Sequence, residues 1–211
     1  MLRTAIASLV LLAGSYASAA WLTHDFQVWT AEGARRIEVA LQPVPVPSVT
    51  VQGAGLRAAG DSLRTLVADG RHVTLVDFFY TRCETVCLAL GGTFQQLQGA
   101  LHDDDAGGRV QLLSVSLDPE RDTPPDLAAY ARRMRSDPAL WRYVRVPEPA
   151  QFRRLLADFQ VVAVPDGHGD IQHNAALLVI DTQGRLVRVF DIAQQQLALD
   201  YARALARGEK L

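Results

Sequence analysis

At 211 residues, with 49% hydrophobic and 21% charged side chains, the chain can bury one ordinary core and is cramped for two, so one domain with an N-terminal appendage is expected. A formal charge of -2 supplies no basic field of the kind that draws a protein to nucleic acid, and that class of partner is excluded. Two cysteines in the whole chain exclude a disulfide framework, and their closeness in sequence marks them as a local pair.

Between Arg3 and His24 there is no charged side chain, and the apolar run from Ala5 to about Leu22 lies near the lower limit of the ~17 to 25 residues that a spanning helix needs. It is apolar around its whole circumference, which suits lipid better than a domain surface. Two readings stay open for residues 1–24. One is an uncleaved membrane anchor with Trp21 and Trp29 in the interfacial zone; the other is a signal peptide cut near Ala17-Ser18-Ala19. In both, Arg3 stays inside and Asp25 onward is exported. Residues 25–47 read as a juxtamembrane segment and spacer. Within it, Thr30 to Ala40 has helical character with Glu32, Arg35 and Arg36 on a wet face. Pro43-Val44-Pro45-Val46-Pro47 favours extended polyproline geometry. The folded domain is expected over residues 48–211.

Val49 to Gln52 is a short strand candidate, and Asp61 to Ala68 a short helix carrying Leu63, Leu66 and Val67. Val73 to Tyr80 is a near-continuous apolar run, which fits a strand buried on both faces of a sheet. Helical spacing follows through Leu88, Leu90, Phe94, Leu97 and Leu101, and Val110 to Leu117 is a second Val- and Leu-rich strand, so the segment forms a crossover unit. Thr123-Pro124-Pro125-Asp126 carries a capping hydroxyl, first-turn prolines and an acid, predicting a helix to about Arg135. Tyr143 to Val146 is expected as a strand and Pro149 to Phe159 as a helix. Ala175 to Ile180 and Leu186 to Asp191 should form a hairpin across Thr182-Gln183-Gly184, and Gln194 to Arg207 a closing helix. A mixed sheet built this way and covered by helices on both sides is an α/β, thioredoxin-like arrangement.

Cys83-Glu84-Thr85-Val86-Cys87 sets two thiols four residues apart, with Cβ atoms about 5 to 6 Å apart if the turn is a regular helix. A disulfide wants Cβ atoms nearer ~3.5 to 4.5 Å, whereas two thiolates around one metal span the gap more easily. The spacing tolerates both states and mildly favours metal. A helix N-terminus with Arg82 beside it favours thiolate over thiol, and the thiolate is both ligand and nucleophile. Two sulfurs leave a soft ion under-coordinated. Among the five histidines, His24 lies beside the apolar helix, His72 near the far end of its strand, and His102 beside Asp103-Asp104-Asp105 in a solvated loop. His168 and His173 share the turn-rich stretch before the strand Ala175 to Ile180, facing the cysteine loop in the inferred topology. His173 abuts the strand and is preferred to His168, which lies between glycines. One imidazole with two thiolates matches copper(I), and with further donors copper(II).

The chain at this point resembles the Sco/SenC family of copper-delivery proteins for cytochrome c oxidase assembly. The resemblance is carried by Asp77-Phe78-Phe79-Tyr80-Thr81-Arg82-Cys83, by Cys87, by Ser116-Leu117-Asp118-Pro119-Glu120-Arg121-Asp122-Thr123-Pro124, and by His173 ahead of Ala175 to Asp181. It implies an anchored thioredoxin-like domain on the exported, periplasmic side of the inner membrane, with Cys83, Cys87 and His173 as copper ligands. The implied client is the two-copper centre of oxidase subunit II or another copper enzyme, which receives metal or has its disulfide reduced. Family members usually carry proline after each cysteine, where this chain has Glu84 and Leu88. Glu84 adds an anionic group beside the thiols.

The competing function is a thiol-disulfide oxidoreductase, an enzyme that uses Cys83 and Cys87 as a redox pair without metal. Only the copper carrier needs His173. A peroxide-reducing enzyme is disfavoured by Tyr80 at the position where a peroxidatic cysteine has threonine. A redox or copper sensor would share the site and differ in its partner.

Overall fold

The computed structural model describes residues 2–23, 25–26, 28–56, 60–83, 86–102 and 109–209, with backbone alone for residues 86–90. The expectations for His24, Glu84, Thr85 and Asp103 to Asp105, and for the side chains of Cys87, Leu88 and Leu90, therefore lie outside the described residues. Helix α1 (Leu2–Leu22) has no buried residue and is long and apolar enough to cross a membrane, a test that a signal sequence also passes. At its C-terminal end Tyr16, Phe26 and Trp29 form a chain of ring contacts at 5.3 and 6.1 Å, and Trp21 is 80% exposed.

Helix α2 (Ala31–Leu41) starts where Thr30 Oγ1 accepts the Gly33 amide at 3.0 Å. It lies against the sheet, and this alters the expected wet face: Arg35 is only 2% exposed, and its guanidinium meets Glu32 at 3.2 Å. The proline-rich stretch is likewise part of the fold. Strand β1 (Val44–Pro45) lies at the sheet's edge, paired antiparallel with the strand of residues 185–190, and the Val46 amide donates to Gly184 O at 2.9 Å. Proline is tolerated there because an edge strand leaves one row of amides unpaired. The segment expected as a free spacer is thus an edge strand, with Val46 buried behind it.

The remaining elements follow in chain order: β2 (Thr50–Gly53), β3 (Asp61–Ser62), α3 (Leu63–Val67), β4 (Val73–Phe79), α4 (Val86–His102), β5 (Val110–Ser116), α5 (Pro124–Arg133), β6 (Trp141–Arg145), α6 (Pro149–Asp158), β7 (Ala163–Pro165), β8 (Ile171–His173), β9 (Leu177–Ile180), β10 (Arg185–Phe190) and α7 (Gln195–Ala206). The main sheet runs β1-β10-β9-β4-β5-β6-β2-β3. Strands β4, β5 and β6 are parallel and joined by helical crossovers, while β9 and β10 form the expected antiparallel hairpin. Gly184 in its turn has φ 74°, and a Cβ there would meet Ala68 Cβ at 2.7 Å.

Alternation along the strands divides the core in two. Leu75, Phe79, Leu112 and Trp141 face α4, α5 and α7 through Phe94, Leu127 and Leu199. Val76, Phe78, Leu113 and Val144 face α2, α3 and α6 through Val39, Leu63 and Leu155. This is the thioredoxin-like arrangement that the order of elements predicts. Three local differences have plain causes. Asp61 and Ser62 pair with β2, so α3 starts late. Trp141 pairs with Leu112 and buries its indole, so β6 starts early. The stretch expected only as a turn before the last hairpin folds as a hairpin of its own, β7–β8, which carries His173.

Candidate metal centre

The centre lies where the parallel strands end. Strand β4 leads through Tyr80 into a turn in which the Cys83 amide donates to Tyr80 O at 3.3 Å, and the Cys83 side chain is buried. Helix α4 begins only at Val86, so Cys83 precedes the helix while Cys87 sits in its first turn. The sequence expectation of both thiols on one regular helical face does not hold for Cys83, which lies outside the helix.

The turn is pinned from the side. The fully buried carboxylate of Asp122 accepts the Thr81 amide at 3.1 Å, the Thr81 hydroxyl at 2.6 Å and the Ser116 hydroxyl at 2.6 Å. Arg133 Nη2 donates to Thr81 O at 3.1 Å. Burial raises the Asp122 carboxyl above its ordinary value, against the pull of these hydrogen bonds.

Facing the turn is the β7–β8 hairpin. His173 closes β8 opposite Ala163, and among the described residues neither ring nitrogen has a hydrogen-bond partner although both are buried. Burial lowers its pKa, which favours the neutral imidazole that binds metals. Tyr80, Cys83, Asp166, Asp170, Ile171, Gln172 and His173 line one cavity of about 310 Å³. The Tyr80 hydroxyl donates to Asp170 Oδ1 at 2.9 Å and accepts the Ile171 amide at 3.2 Å.

Cys83 and His173 are therefore brought together, and the Cys87 backbone enters from α4. Among the described residues no set of three or more His, Cys, Asp or Glu side chains gathers as a metal site; the Cys87 side chain is outside that set. His168 does not line the cavity. His72 is engaged by Asp69 at 2.5 Å and His102 lies 3.6 Å from Asp137, both away from the thiol. A larger cavity of about 710 Å³ between α3, α5 and β6 has no thiol or imidazole in its lining, so chemistry and not volume locates the centre. A buried sulfur, which interacts with the Tyr80 hydroxyl, and a neutral imidazole whose nitrogens have no hydrogen-bond partner among the described residues suit a soft ion such as copper(I). Sequence reasoning missed Tyr80, Asp170 and Asp122 as parts of this centre. The available signal was position: Tyr80 precedes the cysteine turn, and Asp122 lies in a block read as strand end and helix cap.

A family model described as SCO1/SenC matches residues 56–206. The SCO1 protein homolog of Bacillus subtilis (strain 168) is 25% identical over 122 residues, covering 57% of this chain and 62% of that protein's length. The structure of Bradyrhizobium japonicum ScoI with copper bound is 26% identical, with a TM-score of 0.58 over 77% of this chain and 97% of that one. BsSco, a member of the Sco family of cytochrome c oxidase assembly proteins in which a disulfide switch was identified, superposes with a TM-score of 0.65 over 79% of this chain and 95% of its own. At 19% identity that last likeness is one of fold.

Proposed function

This chain belongs to the SCO1/SenC family, and we propose that it carries one copper ion between Cys83, Cys87 and His173 and delivers it to the two-copper centre of cytochrome c oxidase subunit II. The observation that carries this reading is the convergence, on one small cavity, of a buried thiol and a buried imidazole that has no hydrogen-bond partner among the described residues. The copper-bound relative from Bradyrhizobium japonicum supports the choice of metal. Copper is the cargo. The turn at Cys83 is held by Asp122, and His173 reaches the same space from β8, so cargo is gripped from two different elements. Release needs only that one of them give way. Helix α1 tethers the domain to the membrane, with Trp21 and Trp29 at the interface and the domain on the exported side.

A second reading is favoured by the disulfide switch of BsSco. Here Cys83 and Cys87 reduce a client disulfide: one thiolate attacks, a mixed disulfide forms, and the second thiolate displaces the client sulfur, leaving a Cys83–Cys87 disulfide and two client thiols. His173 has no part in that exchange. His173→Ala separates the two. Under the copper reading it abolishes tight copper retention and leaves disulfide reduction near the wild-type rate; equal loss of both activities contradicts the assignment.

A further inference from the structure

We propose that Tyr80 is a positioning residue for His173: its hydroxyl latches the β7–β8 hairpin to the end of β4 and so holds the imidazole over the thiol. This rests on the copper reading of the same cavity.

The hairpin stands outside the main sheet. Its base is tied by Asn174, whose Oδ1 accepts the Val162 amide at 2.8 Å and whose Nδ2 donates to Gln160 O at 3.0 Å. Its tip is closed on itself: Asp166 Oδ1 accepts the His168 and Asp170 amides at 2.7 and 3.0 Å, and the Asp166 amide donates to Asp170 O at 2.9 Å. Glycines at 167 and 169 have positive φ and add freedom there. Between base and tip, the Tyr80 hydroxyl, one residue past the end of β4, makes two hydrogen bonds to the hairpin, one to Asp170 and one from Ile171, and the same hydroxyl engages the Cys83 side chain. Ile171 lies two residues before His173 on the same strand.

A metal-binding imidazole is ordinarily aimed by a hydrogen bond to its second nitrogen. His173 has none among the described residues, so its aim is inherited from the strand that carries it. Tyr80 is buried, its hydroxyl interacts with the Cys83 side chain three residues on, and the same hydroxyl fixes where β8 begins. One side chain thereby sets the separation of the thiol and imidazole halves of the centre. Asp170 is exposed, so water can replace its lost partner when the hydroxyl is removed, and Tyr80→Phe keeps the ring that fills the core.

The test uses the full chain in detergent micelles. In the metal-free protein, Tyr80→Phe should speed hydrogen exchange of the Ile171 amide, followed by NMR, about tenfold or more while amides of β4 and β5 stay protected. In anaerobic copper(I) competition against a chelator, it should weaken retention about tenfold or more, the size usual for groups that aim a ligand. It should add no further loss in a His173→Ala background. Asp170→Ala cuts the same link from the hairpin side and must weaken copper only while His173 is present, which serves if the first variant fails to fold. Equal weakening with and without His173, or unchanged Ile171 exchange, overturns the latch. A wild-type chain that holds no copper overturns the function proposed above, and the Ile171 exchange then decides the latch alone.

Discussion

The carboxylate of Asp122, wholly buried, receives both the amide and the hydroxyl of Thr81, at 3.1 and 2.6 Å. Thr81 stands two residues before Cys83, so a side chain from the β5–α5 connection fixes the turn that presents the thiol. Asp122→Ala strands the two Thr81 donors and the Ser116 hydroxyl, of which the serine is fully buried. A loss of about 2 to 4 kcal/mol in stability is expected from urea unfolding, with weaker copper retention. Asp122→Asn, which keeps an acceptor, should lose less of both.

Asp77 sits in β4 opposite Ser114 of β5, behind the centre and cut off from water. Burial pushes its carboxyl from 3.8 up to about 7, against a hydrogen bond with Ser114, and one of its oxygens has no partner among the described residues. The folded chain thus keeps this proton to about pH 7, while the unfolded chain releases it near pH 4. Its contribution is fully present below about pH 4 and is lost as pH rises to about 7, with a full size on the order of 4 kcal/mol. Asp77→Asn removes the titration. Denaturation midpoints measured from pH 4 to 8 should decline for the wild type and stay flatter for the variant.

Arg35 is an expensive way to fill a core position. Its side chain is 2% exposed, Glu32 is its ion partner at 3.2 Å, and among the described residues its Nε and Nη2 have no acceptor. Burial lowers its pKa for that reason. Arg35→Met keeps the packing stem and drops the charge, so stability should hold or rise by about 1 to 4 kcal/mol. Glu32→Ala should destabilise, because it leaves the guanidinium buried without its counter-charge. Thermal unfolding of the two variants checks both signs.

The same residue marks what the sequence leaves illegible. The strand β4, the crossover through α4 to β5, and the final hairpin and helix were all readable, because each is specified by periodicity and local turn chemistry within its own segment. Arg35 and Val46 were misjudged because their burial is decided by β10, about 150 residues away in the chain, and no local pattern announces that contact. Residues 163–173 held a hidden hairpin for a similar reason. Its strands are short and half exposed, so neither alternation nor a long apolar run betrays them. For the centre, Cys83 and His173 were legible as chemistry-bearing types near turns. Tyr80 and Asp122 were not, since an aromatic after a strand and an acid before a helix each have an ordinary structural use, and only the folded chain reveals whom they touch.

The most direct measurement is an anaerobic copper(I) titration of the full chain followed by X-ray absorption at the copper edge. Retention of about one equivalent with two sulfur neighbours and one nitrogen is expected, with loss of that nitrogen in His173→Ala. A chain that retains no stoichiometric copper, or whose copper neighbours are the same with and without His173, would contradict that expectation.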